Sequence, residues 1–384
     1  MARLASTLCF SGRTGGDEVM PKFKNNCSRR TLIARQRKRP EDIRGPYFRD
    51  QTAILHSLAF RRLKHKTQVF FSPENDHICT RIEHSLHVAS IAATICRALK
   101  LDDDLATAIG FGHDLGHAPF GHAGEKWLSK MFPGGFIHEV HSLRVVDKLE
   151  NYGQGLNLTF AVRDGIVSHC GEVDEQFVEI APVCNNLDDL AERPTQPSTW
   201  EGCAVRISDS IAYLGRDIED AISANLITKD DLPENLRYGI GQSNSEIISN
   251  LVYDVIDWSG KNGKIGFSPE KYALIQEFKQ FSREKIYNNP KMRYWNDYSG
   301  FVMETLKKYL LNLFERYQTD YAKYAQSRTP LDVKFGKYLY RLQERYQTEK
   351  TSPQPILRDY LAGMTDSYAL NCFQNILTTG TTGL

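Results

Sequence analysis

Apolar residues recur at helical spacing through most of the chain, with few alternating, strand-like runs, so the pattern predicts a body of helices. From Arg81 the chain reads Arg-Ile-Glu-His-Ser-Leu-His-Val-Ala-Ser-Ile-Ala-Ala-Thr-Ile-Cys-Arg-Ala-Leu, and His84, Val88, Ile91, Ile95 and Leu99 fall on one stripe. A second helix is predicted from the acidic Asp102-Asp103-Asp104 through Leu105, Ile109 and Gly112 to His113, ending where Gly116 and Pro119 break it. A third spans Gly202 to Ile222, with Val205, Asp209, Ala212, Tyr213 and Arg216 on one face. Tyr298 to Tyr324 and Leu331 to Gln347 are amphipathic and rich in aromatics, a pattern of helix packing or subunit contact.

Breaks divide this pattern. Gly260-Lys-Asn-Gly263 is the clearest interior one, and Ala181 to Ser198, with three prolines, reads as a long surface loop. Residues 1–40 carry basic runs with little apolar periodicity and read as a mobile arm, with Met20 an alternative start; the Thr-Thr-Gly-Thr-Thr-Gly-Leu end reads as a frayed tail. The expected organisation is an arm over 1–40, a catalytic core over 41–240 and a helical region over 241–384 that packs on the core and at subunit contacts.

Composition narrows the classes. In 384 residues, 48 basic side chains face 47 acidic ones, so no global basic field points to a nucleic-acid partner and any anion site must be local. Eight cysteines lie without metal-ligand spacing, which predicts unpaired thiols in a reducing cytoplasm. No apolar run reaches the roughly 20 residues needed to span a bilayer, so no membrane role is expected.

The chemistry lies where polar residues interrupt apolar stripes. His84 and His113 each continue a buried stripe, Asp114 follows at a helix end, and Asp209 sits among inward-facing residues. A buried histidine must satisfy both ring nitrogens, and a buried aspartate needs a cation. Two imidazoles and two carboxylates form a mixed nitrogen and oxygen set suited to Mn, Fe, Co, Ni or Zn. The plainer reading is a set of core histidines bonded to carbonyls and an aspartate paired with arginine. Farther on, His122 and Glu125 stand three apart and share a face of a new helix.

The order His84, His113-Asp114, Asp209 resembles the HD-domain phosphohydrolases, and the surrounding sequence is similar to their deoxyguanosinetriphosphate triphosphohydrolase family. The supporting stretches are Asp42-Ile-Arg-Gly-Pro-Tyr-Phe-Arg-Asp, Ala59-Phe-Arg-Arg-Leu-Lys-His-Lys-Thr-Gln-Val-Phe, His113-Asp-Leu-Gly-His-Ala-Pro-Phe-Gly-His-Ala-Gly-Glu and Arg206-Ile-Ser-Asp-Ser-Ile-Ala-Tyr-Leu-Gly-Arg-Asp-Ile-Glu-Asp-Ala. The resemblance implies an all-α HD-domain bundle with additional C-terminal helices. It also implies a divalent metal (Mn, Mg or Fe) on His84, His113, Asp114 and Asp209. The implied activity is hydrolysis of deoxynucleoside triphosphates at the α-phosphate, giving deoxynucleoside and inorganic triphosphate.

It further implies residue roles. His122 handles a proton at the reacting phosphate and Glu125 orients its ring, while His117, His138 and Arg81 contact phosphate. Tyr213 packs where a 2′-hydroxyl would sit and Asp217 binds the 3′-hydroxyl, with Gln68 and Tyr287 at the nucleoside end. Ser210 stands where some relatives carry a phosphate-binding lysine, which leaves Lys66, Arg206 or Arg283 for the terminal phosphates. Relatives are usually homo-oligomers, and some respond to deoxynucleotides or single-stranded DNA. The rival classes are another HD phosphodiesterase or nucleotidase, and a non-catalytic nucleotide or nucleic-acid sensor.

Overall fold

The structure is a computed structural model that describes residues 23–68, 78–170, 175–188 and 190–379. Met20, and all but the first two residues of the predicted frayed tail, lie outside them. The fold is all-α, as the pattern predicts. The named strands of the described residues, Phe177–Val178 and Ile265–Gly266, form one small antiparallel pair.

Three helices position the site, and each begins on a cap the sequence supplies. Thr80 and Glu83 form a capping box at Arg81–Ala98, Asp102 accepts from the Leu105 amide at Asp103–Gly112, and Thr199 accepts from the Gly202 amide at Trp200–Ser223. The three pack on one another, with Val88, Ile95, Ile109, Val205 and Ile211 wholly buried between them. The first two approach backbone to backbone at Gly110, where a Cβ would lie 2.6 Å from Cα of Ala89.

Two hydrophobic clusters run through the described residues. One extends from Cys27 through the three site helices and past residue 240 to Ile286. The other gathers Phe120, Leu128 and Phe132 against the helices Pro290–Tyr317, Pro330–Arg341, Pro353–Ala362 and Asp366–Thr379. No described helix is long and apolar enough to cross a membrane.

The periphery differs from the sequence expectation. Cys27 and Cys184 are joined as a disulfide across 157 residues, so these two thiols are not unpaired, whereas Cys79, Cys96, Cys170, Cys203 and Cys372 are buried and stand outside any disulfide. Local spacing carries no sign of a partner so distant. Residues 23–37, inside the stretch read as a mobile arm, are pinned by side chains that look solvating in sequence. Arg35 pairs with the buried Asp50 at 2.5 Å, Asn25 donates to Glu201 at 3.1 Å, and Leu32 enters the core. The loop from Ala181 to Ser198 is likewise held down, because buried Asp164 accepts from the Asn185 side chain at 2.7 Å and the Ser198 amide at 2.7 Å.

Past Asp114 the chain turns at Gly116, against the helix His138–Arg144. A Cβ at Gly116 would lie 2.2 Å from the Ser142 nitrogen, which backbone cannot yield without shifting the helix. Gly116→Ala is therefore expected to cost about 3 kcal/mol, as overpacking of a rigid contact does. A denaturant midpoint that falls with unchanged slope checks this; an unmoved midpoint would show that the turn relaxes freely.

Candidate active site

His113 is the cap residue that follows the helix Asp103–Gly112, and its Nδ1 lies 2.8 Å from the Gly110 carbonyl. That bond places the ring proton on Nδ1 and leaves Nε2 as a lone pair, buried and without a hydrogen-bond partner. Around Nε2 stand Asp114 Oδ2 at 3.8 Å and Asp209 Oδ1 at 4.0 Å, with His84 Nε2 2.9 Å from the same Asp209 oxygen. Two atoms bound to one ion at about 2.1 Å lie roughly 3 to 4 Å apart. The donor set and the orphaned nitrogen therefore fit a divalent cation held by His84, His113, Asp114 and Asp209.

The electrostatics agree. Burial pushes His113 down to about 4, keeping the ring neutral as a ligand requires. Burial opposes charge on Asp114 as well, yet the Arg81 guanidinium, 2.6 Å away, and the neighbouring histidines hold its carboxyl well below the usual range. Arg81 is itself 2 % exposed.

A cavity of about 550 Å³ opens over this group, lined by Arg81, His84, Asp114 and Asp209 at its base and by His117, His122 and His138 on one wall. His122 lies in the first turn of Gly121–Met131, a helix that begins after Phe120 in a left-handed conformation, φ 63°. Buried Asp366, from the C-terminal helix, fixes that start. It accepts from the Phe120 amide at 2.9 Å and from Thr67 at 2.9 Å and 2.7 Å.

Glu125 hydrogen-bonds His138 through both carboxylate oxygens at 3.0 Å. Burial disfavours the His138 charge, but Glu125 and Glu139 overcome it and raise the ring to about 10, so it stands as a fixed cation. The ligand atoms of His117, His122 and Glu125 all lie within 4.8 Å of one another. Glu125 is thus bonded to His138 and lies 3.8 Å from His117 Nε2, whereas the resemblance gives it to His122.

At the far end, Tyr213 and Asp217 follow Asp209 by one and two turns of the same helix. The Tyr287 hydroxyl donates to Asp217 Oδ2, and the rings of Tyr287 and Tyr213 stack at 6.4 Å. Asp217 Oδ1 is buried without a partner, as is Gln68 Oε1. Both residues line the cavity, so two buried acceptors await donors.

Burial raises Asp217 to about 7 from 3.8. The fold therefore favours its neutral form. Between about pH 4 and 7 the unfolded chain releases this proton while the folded chain keeps it, so stability falls as pH rises through that window. Asp217→Asn lacks the titration and still accepts from Tyr287. Its thermal midpoint relative to the parent should climb from pH 4 to 7 and then level; a gap independent of pH would refute the assignment.

The HD-domain family pattern matches residues 81–214. A deoxyguanosinetriphosphate triphosphohydrolase-like protein of Caldanaerobacter subterraneus is 39% identical over 94% of both chains. The chain belongs to this family. Similar proteins of the same description occur in Desulfatibacillum aliphaticivorans, 38% identical over 88% of this chain and 90% of the relative, and in Clostridium tetani, 35% identical over 88% and 86%.

Within this triphosphohydrolase-like chain, sequence reasoning missed His169. Its ring lies 4.8 Å from that of His113, and its ligand atom groups with those of His113 and Asp209. It is the cap residue of its helix, as His113 is, with Nδ1 2.7 Å from the carbonyl three residues earlier, Ile166. A histidine directly after an apolar helical run was the available signal. Two proposed phosphate cations are also corrected. Lys66 is buried and donates to the His117 and Ala362 carbonyls, and Arg206 is occupied by the Thr195 carbonyl and by Glu175. Arg283 does line the cavity, together with Lys126 and Lys279, which the sequence reading passed over.

Proposed function

We propose that this family member hydrolyses deoxynucleoside triphosphates at the α-phosphate, releasing deoxynucleoside and inorganic triphosphate. The observation that carries the reading is the run of Asp209, Tyr213 and Asp217 along one helix and one cavity, which puts a sugar-sized polar pocket about 6 to 12 Å from the candidate metal ligands.

A divalent ion on His84, His113, Asp114 and Asp209 would polarise an α-phosphoryl oxygen and make water a better nucleophile. The chain's own groups supply alignment and proton handling. His138 and Arg81 present fixed positive charge to the phosphates, and Lys126, Lys279 and Arg283 lie at the cavity for the outer ones. Water oxygen bonds to the α-phosphorus and the bond from phosphorus to the 5′-oxygen breaks. Water loses a proton as the departing oxygen gains one, and His122 stands where an imidazole can donate it. Asp217 accepts from the 3′-hydroxyl through its unpartnered Oδ1, and the Tyr213 ring occupies the space a 2′-hydroxyl would need.

The test is to incubate purified protein and Mn or Mg with each of the four deoxynucleotides and with GTP, then to separate the products. Deoxynucleoside plus triphosphate, with GTP untouched, is the expected outcome. Stepwise orthophosphate release would overturn the reading.

A further inference from the structure

We propose that Arg193, on the loop from Ala181 to Ser198, is a positioning residue for the phosphate chain: it neutralises Glu139 behind His138, so that this wall of the catalytic cavity does not turn negative. This role rests on the reading above, in which the cavity takes a triphosphate.

His138 lines the cavity, and Glu139 and Arg193 stand behind it. Both ring nitrogens of His138 are engaged. Nδ1 faces Glu125 at 3.0 Å and Glu139 Oε2 at 3.3 Å, and Nε2 lies 3.3 Å from His169 Nε2. His169 gives its own Nδ1 proton to the Ile166 carbonyl at 2.7 Å, so its Nε2 is the acceptor in that pair. The His138 ring is thereby fixed at both ends, and it offers the cavity charge rather than a hydrogen bond.

That charge is outnumbered by its own partners. Glu125 and Glu139 both face the one imidazolium, while His117 and His169 beside it are kept neutral, chiefly by burial. Two carboxylates against one cation would leave the wall net negative, and a triphosphate would be repelled from it. Glu139 is 2 % exposed, so water screens it poorly. Burial opposes its charge, yet His138 and His169, and Arg193 after them, hold its carboxyl down to about 2. It is ionised and needs a counter-charge. Arg193 supplies one through Nη1, which bonds Glu139 Oε1, and the same guanidinium meets the Cys170 thiol.

A free surface arginine would not hold such a place, and the loop is built to hold it. The Asn185 side chain donates to Asp164 at 2.7 Å, buried Arg206 donates to the Thr195 carbonyl at 2.7 Å, and the Ser198 amide donates to Asp164 at 2.7 Å. Pro194 follows Arg193 directly and confines its backbone to the extended region. The Arg193 side chain is 35 % exposed, so replacing it opens no core.

Calorimetric titration of the as-purified full chain with inorganic triphosphate supplies the test, followed at the binding event that Lys126→Ala with Lys279→Ala weakens. Arg193→Gln is expected to weaken that event roughly tenfold or more, because the Glu139 charge is left unmatched in a poorly screened site. Arg193→Lys should stay within about threefold of the parent, since a contact through one nitrogen needs the charge more than the fork. The deciding comparison is Arg193→Gln combined with Glu139→Gln. Removing both charges should bring the affinity back to within about threefold of the parent, whereas a purely structural tether would make the pair at least as harmful as the single substitution. Unchanged affinity in Arg193→Gln, or no recovery in the pair, overturns the proposal. Should circular dichroism show Arg193→Gln misfolded, Glu139→Gln alone carries the test: triphosphate should bind it at least as tightly as the parent, and weaker binding overturns the role. Binding needs no turnover, so a parent that follows this pattern yet hydrolyses no deoxynucleotide overturns the proposed reaction and leaves Arg193 in its place.

Discussion

Replacing His113 with alanine is expected to strip the divalent ion from the protein and lower turnover roughly 10³-fold or more while leaving the helices folded. The ring is 1 % exposed and its proton is committed to the Gly110 carbonyl, so its other nitrogen has no role in the fold that a hydrogen bond would reveal. Alanine removes that donor and retains helix propensity at the end of Asp103–Gly112. Asp209 keeps its 2.9 Å contact to His84 and Asp114 keeps Arg81, so the remaining carboxylates are not left bare. Elemental analysis gives the first readout, metal per chain. The second is thermal: a chelator should lower the midpoint of the parent, because an ion bound only by the folded state stabilises it, and should leave the variant unmoved. Stoichiometric metal in His113→Ala would remove His113 from the ligand set and point to the neighbouring His117, His122 and Glu125 group.

The site residues that sequence reveals are those that break a periodic pattern. His84, His113 and Asp209 stand on stripes that are otherwise apolar, so their inward direction follows from helical spacing alone. Partners set by tertiary approach leave no such trace. Asp366 fixes Thr67 and Phe120 from 299 and 246 residues away, and Cys27 finds Cys184 across 157. Arg35 looks like one more charge in a basic arm, and only the fold shows that buried Asp50 requires it. Lys66 fails in the opposite sense. Its charge reads as available, yet the fold spends it on two carbonyls. Glu125 bonds His138, the first residue of the helix that follows its own, a contact between two helices that no local spacing encodes. The all-α fold was legible because helical periodicity is local; the identity of each charge's partner was not, because it depends on which helix ends meet.

His122→Ala supplies the complementary result: full metal content, little change in KM, and a fall in kcat of about 10² to 10⁴-fold, the range for a lost general acid or base. His122 is exposed at the cavity and lies 3.4 Å from the Tyr213 hydroxyl, so the substitution removes no core contact and no ligand of the His84, His113, Asp114 and Asp209 group. If the ring delivers its proton to the departing 5′-oxygen, the loss should depend on how badly that oxygen needs one. A substrate whose α-phosphate carries a p-nitrophenoxide leaves without protonation, and with it the gap between parent and variant should shrink by at least about tenfold. A merely structural histidine would slow both substrates alike. Equal losses on the two substrates with metal retained would therefore assign His122 to positioning, and His117, 5.9 Å away by ring centroids and buried beside Glu125, would become the proton carrier in its place.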